Sequence, residues 1–82
     1  MESNEILQQV NDVFKTVFEN DKIIINMETT ANDLEEWNSF NHTIMIAEVE
    51  KHFGITFKLK EMLGFKNVGD MVRVIESKQK GV

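Results

Sequence analysis

A chain of 82 residues holds one small domain, and a domain of this size buries only roughly 60% of the surface its unfolded chain exposes, which leaves little room for a deep catalytic cleft. It contains no cysteine, so disulfides, thiolate metal sites and a thiol nucleophile of the polypeptide's own are excluded. Its net charge of −5 argues against nucleic acid, whose phosphates an acidic chain repels.

In chain order, Ile6, Val10, Val13 and Val17 recur at helical spacing along residues 3–18, widened by Leu7, Phe14 and Phe18, while Glu5, Gln9, Asp12 and Lys15 are polar. This predicts a first amphipathic helix capped by Ser3 or Asn4. A long connection follows from about Asn20 to Asn38, and connections beyond about 12–15 residues are usually functional or disordered. Ile23, Ile24, Ile25, Leu34 and Trp37 are expected to peg it across the bundle, with Thr29, Thr30 and Asn32 suited to turns. Ile23 to Ile25 would alternatively form a short strand, for which the chain offers no partner.

A second helix is predicted to start near Ser39, to bury Met45, Ile46, Val49 and Phe53, and to stop at Gly54, a residue suited to the left-handed position after a helix. Lys58 to Leu63 reads as one or two helical turns with Leu59, Met62 and Leu63 as anchors. The last helix is capped by Asn67 with Asp70 three residues on, and buries Val68, Met71, Val72 and Ile75. Lys78 and Lys80 lie near its end, as the macrodipole prefers. The expected fold is all-α, a small four-helix bundle of three longer helices and one short one, in a single domain over 1–82.

Charge is divided unevenly. Residues 1–50 hold 11 acids against 2 bases, a balance of −9, whereas residues 51–82 hold 3 acids against 7 bases, a balance of +4. The polar, acidic start of the chain fits neither a signal nor a transit peptide, and no apolar run approaches a membrane span. A monomeric cytoplasmic protein without membrane insertion is expected.

Ser39 is the most informative residue. A helix N-terminus carries unpaired N–H groups and about half a positive charge, so a phosphate attached there sits in a favourable field. The alternative is that Asn38 or Ser39 is simply the helix cap. A hydrolase would use Ser39 as nucleophile and His42, three residues on, as base, but the sequence offers no orienting acid or enclosure. His42 is expected to be solvated or to face a partner. His42 and His52 lack metal-ligand spacing, and the acids of residues 32–41 lack a calcium-loop pattern. His52 is expected to pair with Glu48, and Met45, Met62 and Met71 to fill the core.

Three stretches, Asp33-Leu34-Glu35-Glu36-Trp37-Asn38-Ser39-Phe40, then Ala47-Glu48-Val49-Glu50-Lys51-His52-Phe53-Gly54-Ile55, then Asn67-Val68-Gly69-Asp70-Met71, resemble acyl carrier proteins over nearly the whole chain. At the centre is the family's Asp-Ser-Leu attachment motif, here Asn38-Ser39-Phe40. The resemblance implies that Ser39 receives 4'-phosphopantetheine from coenzyme A through a phosphopantetheinyl transferase. The arm's thiol then holds acyl or aminoacyl cargo as a thioester, so the protein is a carrier and not an enzyme. It implies as partners that transferase, a loading enzyme, and an acyltransferase or synthase of a biosynthetic pathway.

The chain departs from the family pattern at Asn38, which replaces the usual acid, and at Phe40, which replaces a leucine. Its second helix offers His42, Thr43, Ile44, Ala47 and Lys51, with only Glu48 and Glu50 as acids. With Asn38 and Phe40, these residues form the expected partner-recognition face, less acidic and more apolar than the family's norm. Phe40 and Ile44 are its expected docking anchors. That composition suggests a dedicated pathway, because electrostatic complementarity sets partner choice. The alternative from a different class is a carrier-like protein that stays unmodified and acts as a structural or regulatory binding partner.

Overall fold

The computed structural model describes residues 2–80, the side chain of Lys80 excepted. Four helices follow one another: α1 (Ser3–Val17), α2 (Ser39–Phe53), α3 (Leu59–Leu63) and α4 (Val68–Lys80), with a 3₁₀ turn at Ala31–Asp33. No strand occurs among the described residues, so the Ile23–Ile25 segment is irregular chain.

One apolar core joins the helices. It is built from Ile6, Val10 and Phe14 of α1, Met45 and Val49 of α2, and Val68, Met71, Val72 and Ile75 of α4, all fully or almost fully buried. The 3.6-residue periodicity therefore converts directly into packing. α1 makes its contacts with both α2 and α4 and is the spine of the bundle.

Helix ends follow local chemistry, with one correction. α1 begins one residue earlier than a Ser3 or Asn4 cap allows: Glu2 takes the cap position, extended and without a side-chain bond. Ser3 is the first helical residue, and its hydroxyl donates instead to Glu76 Oε2 of α4 at 3.2 Å. α2 ends as expected on Gly54, whose φ of 66° is the left-handed conformation that a side chain resists. Asn67 caps α4, its Oδ1 accepting from the Asp70 N–H at 2.9 Å. Of the two lysines expected near the basic end of α4, Lys78 pairs with Glu61 at 2.9 Å, and the side chain of Lys80 lies outside the described residues.

The long connection is held at several points. Ile23 and Ile25 are buried while Ile24 between them is 86% exposed, so only two of the three isoleucines are pegs. The backbone there is stapled by Asn11 of α1, whose Oδ1 accepts from the Ile25 N–H at 2.6 Å and whose Nδ2 donates to the Ile23 carbonyl at 3.1 Å. Further on, Asp33 Oδ2 accepts from the Thr30 N–H at 2.9 Å and closes the 3₁₀ turn. Trp37 is buried and Leu34 partly so.

α3 departs from expectation in what it buries. Leu59 and Leu63 are 68% and 79% exposed, and only Met62 of the three expected anchors packs against the core. Phe57 before the helix and Phe65 after it occupy the core side, their rings edge-on at 5.1 Å. Five helical residues flanked by two aromatics leave the leucines no apolar volume to enter.

Candidate functional site at the head of α2

The start of α2 decides between the two roles open to Ser39. Asn38 is extended (φ −100°, ψ 178°), and its Oδ1 accepts from the Asn41 N–H at 2.9 Å, while its carbonyl accepts from the His42 N–H at 2.8 Å. Asn38 is therefore the cap, and Ser39 is the first helical residue. Ser39 is exposed. Its hydroxyl makes no hydrogen bond among the described residues, and only its carbonyl is engaged, accepting from Thr43 Oγ1 at 3.4 Å. A free hydroxyl thus stands at a helix N-terminus, where the dipole favours an attached anion.

The chain leading into that position is fixed from both sides. Asn41 Nδ2 donates to the Glu36 carbonyl at 2.8 Å, and Asn20 Nδ2 donates to Glu36 Oε2 at 2.8 Å. The Asn20 amide, and next a backbone bond at Glu36 itself, hold the Glu36 carboxyl below the usual carboxylate range. Trp37 packs edge-on against Phe14 at 5.1 Å and donates its indole N–H to His42 Nδ1 at 2.8 Å. His42 is half-buried, which corrects the expectation of a solvated ring, and burial lowers its pKa from the ordinary imidazole value. With Nδ1 committed to the indole, the imidazole also has no acid–base link to the Ser39 hydroxyl through that nitrogen.

Ala31, Trp37, Asn38, Ser39 and His42 line an open depression of about 430 Å³. The structure thus brings Asn38, Ser39 and His42 together. Phe40 is 74% and Ile44 40% exposed, and Thr43, Ala47 and Lys51 are exposed on the same helix. Lys51 stands apart from Ser39, lining a separate groove between α2 and α1 with Val13, Val17 and Glu48. α2 has no acid in its first turn. Of its two acids, Glu50 is half-buried and accepts from the Phe57 N–H at 2.7 Å, so Glu48 is the acid left exposed. His52 does not pair with Glu48: its Nε2 lies 2.7 Å from Gln9 Oε1 on α1.

Sequence reasoning missed Asn20 and Ala31 as contributors to this end of the molecule, and Asn11 as the staple of the Ile23–Ile25 segment. Isolated asparagines in polar stretches carry no signal of the backbone they bind, and Ala31 matters only because the 3₁₀ turn carries it to the depression. Among the described residues no group of His, Cys, Asp and Glu is arranged to hold a metal ion, and no helix is long and apolar enough to cross a membrane.

The all-helical architecture with a free serine at the head of its second long helix is that of a carrier domain. No protein-family model and no characterised sequence matches the chain. A solved structure does: the solution NMR structure of holo acyl carrier protein from Geobacter metallireducens superposes with a TM-score of 0.87 and 36% sequence identity, over 93% of this chain and 87% of that one. The chain belongs to the acyl carrier protein family.

Proposed function

We propose that this protein is an acyl carrier whose Ser39 bears 4'-phosphopantetheine. The observation that carries the reading is the division of labour at the head of α2: Asn38 satisfies the helix cap and leaves the Ser39 hydroxyl free and exposed. The donor set suits the group. A hydroxyl can form the phosphodiester, the helix N-terminus favours its negative charge, and the neighbouring depression is open enough to admit an arm.

In the loading reaction the Ser39 oxygen attacks the β-phosphate of coenzyme A. A new P–O bond would form as the bond to 3',5'-adenosine diphosphate breaks, and the hydroxyl proton would pass to a base that the transferase supplies. When bound, the group supplies the thiol that the polypeptide lacks, and that thiol holds acyl or aminoacyl cargo as a thioester. The chain's own part is presentation. It acts through a phosphopantetheinyl transferase, a loading enzyme, and an acyltransferase or synthase, as a cytoplasmic monomer.

Recognition is assigned to Asn38, Phe40, His42, Thr43, Ile44, Ala47 and Lys51. The exposure of Phe40 and Ile44 supports their role as docking anchors. Glu50 turned toward Phe57 leaves α2 with less acidic surface than its composition implies. Both observations favour partners of a dedicated pathway over those of general fatty-acid synthesis, because charge complementarity governs encounter and choice.

The test is intact mass after incubation with coenzyme A, magnesium and a broad-specificity phosphopantetheinyl transferase. Wild type gains the mass of one phosphopantetheine and Ser39→Ala gains none. No gain across several transferases would favour the unmodified binding partner instead.

A further inference from the structure

The bond from Trp37 Nε1–H to His42 Nδ1, 2.8 Å long, fixes the chemistry of the imidazole. A ring nitrogen that accepts a hydrogen bond carries no proton, so His42 is neutral with its proton on Nε2. The two rings are nearly parallel, 14° apart in plane, with centroids separated by 6.1 Å.

This pair brackets the serine. Trp37 lies two residues before Ser39 and His42 three after it, so the bond closes a loop of chain around the head of α2. Both rings wall the depression beside Ser39. Trp37, 8% exposed, is anchored in turn against Phe14 of α1. The Trp37–His42 bond thereby ties the serine's place to the core, beside the bonds that Asn20 and Asn41 make to Glu36.

The geometry points to Trp37 and His42 as a pH-gated clasp that positions Ser39, closed while His42 is neutral and released when Nδ1 takes a proton. Protonation sets an N–H against an N–H, so the bond is lost and a cation is left in a half-buried site. Burial of the ring favours its neutral form and keeps the clasp shut at neutral pH. Among the described residues no carboxylate forms an ion pair with His42. Asp33 of the 3₁₀ turn is engaged with Thr30, and Glu36 with Asn20, while Glu35 is exposed. α1 presents Phe14 behind Trp37, and the first turn of α2 has no acid. The clasp is a property of the unmodified chain, and only its consequence for loading rests on Ser39 being the modified residue.

Trp37 is the sole tryptophan, so its indole N–H resonance and its emission report the clasp directly. Both are followed from about pH 8 to about pH 5 on unmodified wild type, His42→Asn, whose Oδ1 stands near the place of Nδ1 but does not titrate, and His42→Ala. Wild type shows a downfield indole proton that moves upfield in a one-proton step, concurrent with titration of His42. In His42→Asn it stays downfield throughout, and in His42→Ala upfield throughout. Coenzyme A loading, read by intact mass, is slower in His42→Ala by about fivefold, what one net hydrogen bond is worth. The ratio of wild-type to His42→Asn loading rates falls as pH drops through the step, and taking the ratio removes the transferase's own pH dependence.

An indole proton that ignores His42 titration, or that is the same in His42→Ala as in wild type at neutral pH, overturns the clasp. A constant loading ratio overturns its role in positioning. If His42→Ala does not fold, His42→Asn decides alone: loss of the pH step supports the proposal and its retention overturns it. Failure of wild type to load at all would overturn the carrier assignment, and the indole titration would still judge the clasp.

Discussion

The Gly69 N–H donates to the Met27 carbonyl at 2.7 Å, and a Cβ added at Gly69 would stand 2.7 Å from that same oxygen. Beside it, the Val68 N–H donates to the Thr29 carbonyl at 2.9 Å. Two of the donors that a helix leaves unpaired at its N-terminus are thus spent on bolting the middle of the long connection to α4. The absence of a side chain at residue 69 is what permits the approach.

Gly69→Ala should therefore destabilise the protein although alanine is the better helix former. Oxygen cannot sit 2.7 Å from a methyl carbon, so backbone must give way, a cost of about 1–3 kcal/mol. For a domain of this size each 1 kcal/mol lowers the melting temperature by roughly 4–8 °C. A thermal or urea midpoint equal to wild type would mean that the connection moves aside freely.

Asn11→Ala should be costly for a polar substitution on a helix surface. It removes an acceptor from the Ile25 N–H and a donor from the Ile23 carbonyl, both part-buried, for a loss of about 1–3 kcal/mol. Asn11→Asp keeps the 2.6 Å acceptor but sets a carboxylate oxygen against the Ile23 carbonyl in place of the donor, so its urea midpoint should also fall below that of wild type. A wild-type midpoint for Asp would show that the amide's donor half contributes nothing.

The sequence made legible whatever depends on periodicity and caps. α1, α2 and α4, the Gly54 stop and the Asn67 cap follow from local rules that tertiary packing reinforces. Leu59 and Leu63 were misread because the same spacing was applied to a helix of five residues, where Phe57 and Phe65 compete for the core and win. At the site, Ser39 was legible as an exposed hydroxyl at a helix start, but not whether that hydroxyl is left free of the cap. That depends on Asn38 taking the cap, which two adjacent cap-forming residues leave undecided until the backbone is known. The Trp37–His42 bond was invisible for another reason: an indole read as an apolar peg carries no hint of which acceptor its N–H will find.

Asn38→Asp separates the cap from the charge at the same position. Aspartate accepts the Asn41 N–H as asparagine does and adds a negative charge beside the helix N-terminus, worth about 0.3–1 kcal/mol. Stability should hold or rise slightly, and loading of Ser39 by a transferase adapted to an acidic neighbour should speed up. An unchanged loading rate, by intact mass over time, would show that the charge at this position is not what the transferase reads.

His42 should give the stability a pH dependence of definite sign. Its folded pKa is depressed by burial, whereas in the unfolded chain it returns to about 6.5. The unfolded chain therefore takes up the proton first as pH falls. The contribution is whole above about 6.5 and is lost as pH drops through the lower folded value. Urea midpoints measured down through this window should fall more steeply for wild type than for His42→Asn, and parallel profiles would place the pH dependence elsewhere.

Salt should raise the melting temperature. The ion pairs Arg73–Asp70 and Lys78–Glu61 both lie in the basic half, so they spend its charges internally and do nothing to neutralise the 11 acids of residues 1–50. The molecule measures 34 Å along its longest axis. At about 0.01 M salt the screening length is ~30 Å and those acids repel across the whole body, whereas at about 0.1 M it is ~10 Å and only near neighbours interact. The compact state gains more from this screening than the expanded chain, so the melting temperature should be higher at the larger salt concentration. A flat or falling dependence would show that attraction between the −9 and +4 halves outweighs repulsion within the acidic one.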